Sequence, residues 1–170
     1  TVDIYAHRIC IDNNDNIFIA GTFNDTVDFD PGPGVTSVIA NGFLYNNTAM
    51  NELYLSKLDA NGVFQWVKHI RNTVQGQGYG NVSNISMDNN NNFYVSGVTG
   101  YTNVDYDPGP STVLKSGGSY VAKYDDNGDY QWAFTVDSCF GLTSHIIGED
   151  HLIAVGQARA TVDLNPGLGT

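Results

Sequence analysis

A chain of 170 residues, 41% of them hydrophobic, can bury a core of domain size and is not a disordered tail. Its 18 acidic residues against 7 lysines and arginines leave a net charge of −11, which argues against a nucleic-acid backbone or an anionic membrane surface as partner. The acids divide into 16 Asp and 2 Glu and are joined by 19 Asn, 19 Gly and 5 Pro, a composition that favours turns over helices.

The predicted elements then repeat along the chain. A first strand over residues 6–11 leads into Asp12-Asn13-Asn14-Asp15-Asn16, and a second, rich in β-branched and aromatic residues, runs over 17–23. Val27-Asp28-Phe29-Asp30-Pro31-Gly32 follows, and further on two strands flank Asn61-Gly62, a strong hairpin signal. The order recurs with a strand over 82–87, Asp88-Asn89-Asn90-Asn91-Asn92, a strand over 93–98, Val104-Asp105-Tyr106-Asp107-Pro108-Gly109, and two strands about Asn127-Gly128. A third, partial copy has Gly148-Glu149-Asp150 in place of the Asn cluster, then Leu152-Ile153-Ala154-Val155-Gly156 and Val162-Asp163-Leu164-Asn165-Pro166-Gly167. The offsets are 76 residues from Asp12 to Asp88 and 66 from Asp59 to Asp125, and they bring Trp66 and Trp132 into register.

Each full copy reads as a four-stranded antiparallel meander, and no helical pattern lies between copies. The expected fold is therefore all-β, built of β-propeller blades rather than a stacked solenoid, whose period is about 20 to 50 residues. Blade one is expected over 1–72, blade two over 80–137 and the first half of a third over 141–170, about two and a half blades of an incomplete propeller. A propeller closes with about 4 to 8 blades, so such a chain is expected to be completed by the remaining blades of the same parent chain or by identical chains.

Three motifs recur in fixed order: the Asp-x-x-x-Asn hairpin with its strand ending in Gly, the Val-Asp-aromatic-Asp-Pro-Gly segment, and Lys-x-Asp-x-Asn-Gly-x-x-x-Trp. Together they resemble the SBBP-type β-propeller repeats, and the resemblance covers nearly the whole chain. It implies a secreted or cell-surface bacterial protein, often a large multidomain chain of the Bacteroidota. Copy three departs from the pattern at Gly148-Glu149-Asp150 and at Asn165.

Several residues are candidates for chemistry. Asp28, Asp30, Asp105 and Asp107 offer paired carboxylates of the kind that Ca²⁺ takes as oxygen ligands. The competing reading makes the second Asp of each pair the cap of a Pro-Gly turn, and Asn165 in copy three favours it. Asp12-x-Asn14-x-Asn16 and Asp88-x-Asn90-x-Asn92 echo the start of a calcium loop but lack the Gly and Glu that complete an EF-hand, so hairpin turns are the stronger reading. Paired acids can also hydrolyse glycosides, but a pair that recurs in every copy is a fold determinant, whereas catalysis needs one asymmetric constellation. His7, His69, His145 and His151 show no metal-ligand spacing, and Cys10 and Cys139 read as isolated thiols.

Between Asp30 and Asp59 there are 29 positions, but between Asp107 and Asp125 only 18, so copy one carries an insertion of 11 residues at about 41–51. A loop lengthened in one copy breaks the symmetry, which makes Phe43, Leu44, Tyr45 and Met50, with Tyr79 on the same rim, the candidate partner-binding residues. The expected function is a non-catalytic interaction or display scaffold with a protein or glycan ligand and no membrane insertion. The alternatives are a calcium-stabilised spacer and a partial propeller of a carbohydrate-active enzyme.

Overall fold

The structure, a computed structural model, describes residues 2–41, 44–45, 48–73, 80–100, 103–116, 118–137, 139–147 and 151–159, with backbone alone at 44–45, 48–49 and 147. It is all-β, and no helix occurs among the described residues. In chain order the first unit holds β1 (Ile4–Ile11), β2 (Ile17–Phe23), β3 (Thr26–Asp28), β4 (Ser37–Ile39), β5 (Leu44–Tyr45), β6 (Thr48–Ala49), β7 (Glu52–Leu58) and β8 (Phe64–Asn72). The second holds β9 (Asn81–Met87), β10 (Phe93–Val98), β11 (Val104–Asp105), β12 (Leu114–Lys115), β13 (Ser119–Tyr124) and β14 (Tyr130–Val136). The third contributes β15 (Cys139–Ile147) and β16 (His151–Ala158).

The long strands of each full unit form an antiparallel meander, β1-β2-β7-β8 and β9-β10-β13-β14. The first strand begins at Ile4 rather than at residue 6 because β2 continues to Phe23 and pairs Ile4 there. The third unit likewise opens at Cys139, which pairs with Ala158. A short hairpin of unit two leaves its own sheet: β11 pairs with the end of β8, Val104 opposite Asn72 and Asp105 opposite Arg71, and β12 follows outside it. Sheet one thus runs to six strands, the last two supplied by the neighbouring unit.

Each first strand carries a bulge opposite the glycine that closes the second strand, at Gly21 in unit one and Gly97 in unit two. A Cβ on Gly21 would strike the Tyr5 carbonyl oxygen, and one on Gly97 the Asn81 carbonyl oxygen. The bulge brings the backbone too close for any side chain there.

The largest core lies between the two meanders. Phe18, Leu53, Leu55 and Ile70 of unit one meet Val82, Ile85, Phe93, Val95, Tyr106, Tyr120 and Tyr124 of unit two. Phe93 is completely buried and stacks on Tyr124 at 5.4 Å and on Trp66 at 6.1 Å. Burial of one such side chain stabilises by about 1.5–3 kcal/mol. The buried tyrosines keep their hydroxyls paired, Tyr124 donating to the Tyr106 carbonyl at 3.1 Å and Tyr106 meeting Thr99 Oγ1 at 3.3 Å. Polar contacts frame this seam: Arg8 Nε donates to the Ser83 carbonyl at 2.7 Å, and Lys57 reaches Asp126 at 2.7 Å.

Candidate functional site

Four of the recurring aspartates build the same turn. Asp12, Asp59, Asp88 and Asp125 each accept, through Oδ1, the amides two and four residues on, at 2.8–3.0 Å. The third residue after each has positive φ: Asp15 at 62°, Gly62 at 78°, Asn91 at 61° and Gly128 at 74°. This is a three-residue hairpin loop, a turn closed by one left-handed residue. The Asn-Gly signals therefore mark hairpins in which glycine serves as that left-handed residue. The Asn14, Asn16, Asn90 and Asn92 amides all point at a carboxylate, so the Asp-x-Asn-x-Asn spacing is turn chemistry here.

Burial pushes the Asp12 carboxyl up, but hydrogen bonds from the Asn16 side chain and the Asn16 and Asn14 amides, with the Lys57 charge, outweigh it and hold the group below the usual range. Asp88 shows the same balance: burial is outweighed by the Asn92 side chain, the Asn92 and Asn90 amides and the Tyr94 hydroxyl. Lys57 lies 4.8 Å above the Phe18 ring and Lys123 5.0 Å above the Tyr94 ring, so the two units repeat even this cation–π contact.

The Asp-Pro-Gly segments also superpose in their bonding. Asp28 Oδ1 accepts the Asp30 and Thr36 amides at 3.1 and 2.8 Å, and Asp105 Oδ1 accepts those of Asp107 and Val113 at 3.2 and 2.9 Å. Asp30 and Asp107 accept the Gly32 and Gly109 amides at 2.7 and 2.8 Å. Each carboxylate thus accepts at least one backbone amide through its Oδ1. The two pairs sit in separate hairpins, and no group of three or more His, Cys, Asp or Glu that could hold a metal occurs among the described residues.

Of the five residues expected to bind a partner, Phe43 and Tyr79 lie outside the described residues. Leu44 and Tyr45 pair with Ala49 and Thr48 in the β5–β6 hairpin. Met50, at the end of the insertion, is buried, 7% exposed. A polar cluster at the foot of the insertion escaped the sequence reading. Glu52, 3% exposed, accepts the Asn41 amide at 3.0 Å, Asn41 Nδ2 at 3.1 Å, the Asn72 amide at 2.9 Å and His69 Nε2 at 2.6 Å. Asn41 Nδ2 also reaches the Asn72 carbonyl at 2.6 Å. The only trace of this cluster in the sequence is a glutamate in a chain that otherwise prefers aspartate.

The remaining histidines and thiols do not converge. His7 meets Thr22 Oγ1 at 2.9 Å, and His145 and His151 are exposed. Cys10 and Cys139 are free thiols, and burial together with the Asp12 charge pushes Cys10 up to about 12. Trp66 packs between units, edge-on to Phe18 at 5.9 Å. Trp132 makes the corresponding edge contact with Tyr94 at 6.0 Å but is 36% exposed and borders an apolar groove of about 780 Å³ between β14 and the β15–β16 hairpin.

Compared with known proteins, the chain matches no family model, no curated protein and no solved structure.

Proposed function

We propose that the chain is a non-catalytic propeller segment, two four-stranded blades and the opening strands of a third, that serves as an interaction or display scaffold of a secreted or surface-exposed bacterial protein. The observation that carries this reading is the identical use of each recurring aspartate. Hairpin and Asp-Pro-Gly carboxylates alike take backbone amides in the same order in both units, which is how a repeat uses acids to fold. An acid and base pair for catalysis requires two different environments instead. Units one and two packed through one aromatic seam, with a hairpin lent by unit two to the sheet of unit one, support a blade-to-blade array. The partner-facing surface is the rim that carries the insertion at 41–51, which breaks the repeat and is anchored by the hydrogen bonds of Asn41 to Glu52.

Electron microscopy of the native protein tests the assignment. A closed ring of blades is expected, and an open rod of stacked units would refute it. Hydrolysis of a glycan panel by the same protein, lost on Asp105→Asn, would refute its non-catalytic half.

A further inference from the structure

We propose that the groove between β14 and the β15–β16 hairpin, together with the outer edge of β16, is a docking site for one extended β-strand. That strand carries aromatic side chains at positions i and i+4 on one face with a small residue between them. The inference rests on the repeat-unit reading above and adds to it a named site and the chemistry of its occupant.

The template is the seam already formed between units one and two. There β13 lies on the edge of β10, with Tyr124 opposite Phe93, Ala122 opposite Val95 and Tyr120 opposite Gly97. Tyr120, Ala122 and Tyr124 are at most 1% exposed, packed against Leu53, Leu55 and Ile70 of unit one. The space left among them is about 10 Å³, too little for one further side chain.

The next seam offers the same acceptor. Leu152, Ala154 and Gly156 of β16 hold the repeat positions of Phe93, Val95 and Gly97, and Trp132 and Val136 of β14 hold those of Trp66 and Ile70. Yet β16 pairs with β15 alone among the described residues, and its Ile153 and Val155 are 49% and 63% exposed. Where the first seam is closed, this one holds the groove of about 780 Å³, lined by Trp132, Phe134, Val136, Leu142, Leu152 and Ala154. A strand edge unpaired among the described residues and an apolar trough beside it are two parts of one requirement. The edge gives affinity through backbone hydrogen bonds, and the trough selects alternate side chains.

The groove repeats, one unit on, the residue positions against which β13 is seated in the formed seam, and this equivalence identifies its occupant as a strand of the chemistry of β13. A second folded copy cannot lend its own β13, which is paired on both edges, to β10 and to β14.

The test uses the 170-residue protein and a labelled synthetic peptide with the sequence of residues 118–125, followed by fluorescence anisotropy. Saturable binding is expected. It should weaken at least about tenfold when Tyr120→Ser and Tyr124→Ser are made together in the peptide. It should be lost with Ala122→Pro in the peptide, because proline cannot complete the ladder. Ala154→Glu in the protein, at an exposed position, should also abolish binding while leaving the melting temperature within about 2 °C. Absence of saturable binding, or equal binding of the proline peptide, overturns the proposal. So does a stable dimer by sedimentation that the peptide does not dissociate, since the occupant would then be a second copy. None of these outcomes bears on ring closure by the native protein, so failure of the docking site and failure of the propeller reading are separable.

Discussion

Gly62 and Gly128 hold the same left-handed position in equivalent hairpins, yet replacement by alanine should cost different amounts. A Cβ at Gly62 meets nothing within 4 Å, so Gly62→Ala loses only the backbone preference, about 1–2 kcal/mol. A Cβ at Gly128 would lie 2.9 Å from Lys68 Cγ, 3.0 Å from Trp66 Cη2 and 3.1 Å from Lys68 Cε, all in unit one. Trp66 has little room to give, being packed against Phe18 and Phe93. Overpacking at this seam should add about 1–3 kcal/mol, so Gly128→Ala is expected to cost about 2–5 kcal/mol in all. Lys68→Ala removes two of the three close atoms and sacrifices a solvent-exposed pair with Asp129 worth about 0–1 kcal/mol. Urea unfolding of wild type, both glycine variants, Lys68→Ala and the Lys68→Ala/Gly128→Ala double variant therefore forms a cycle. The double variant should recover at least about 0.5 kcal/mol relative to the sum of the singles. Equal losses at Gly62 and Gly128, or a cycle additive within about 0.3 kcal/mol, would refute the packing of the β13–β14 turn on unit one.

Three further outcomes follow from the carboxylates. Glu52→Gln puts an NH₂ among donors and should destabilise by about 2–3 kcal/mol, with faster hydrogen exchange at the Asn41 and Asn72 amides; unchanged exchange there would contradict the assigned network. The Asp12 and Asp88 carboxyls are held below their unfolded value, so their contribution is complete above that value and is lost as pH falls through the folded one. Melting temperature should hold from pH 7 to about 5 and fall below about pH 4, and Asp88→Asn should flatten that acid limb; a variant limb parallel to wild type would refute the assignment. Because Asp28, Asp30, Asp105 and Asp107 already accept backbone amides, excess chelator should leave the melting temperature within about 1 °C, and a larger drop restored by Ca²⁺ would establish the cation-site reading instead.

The long strands were legible because each combines a local apolar pattern with a local Asp-centred turn. Residues 17–23 and 93–98 coincide with β2 and β10 for that reason. The β11–β12 hairpin was not legible. Val104–Asp105 and Leu114–Lys115 are two residues long, too short for a period of two, and their destination on β8 is set by backbone pairing across units. The Glu52 cluster was hidden by distance: Asn41 and Asn72 are 31 positions apart, and neither carries a local signal of the other. The burial of Met50 was hidden for a related reason, since what lies against an inserted loop leaves no local mark in the sequence.

The hairpin lent by unit two to sheet one also has a mechanical meaning. A force that draws the two units apart loads the β8–β11 ladder as well as the apolar seam, and the hairpin stays tethered to β10 and β13 on the far side. Melting unit one would strip β11 of β8, its partner on the inner side, and melting unit two would remove two strands from sheet one. In the nearest-neighbour description of repeat arrays, this moves free energy from the intrinsic term of each unit into the coupling between units. Units one and two are then expected to yield together under load rather than one after the other.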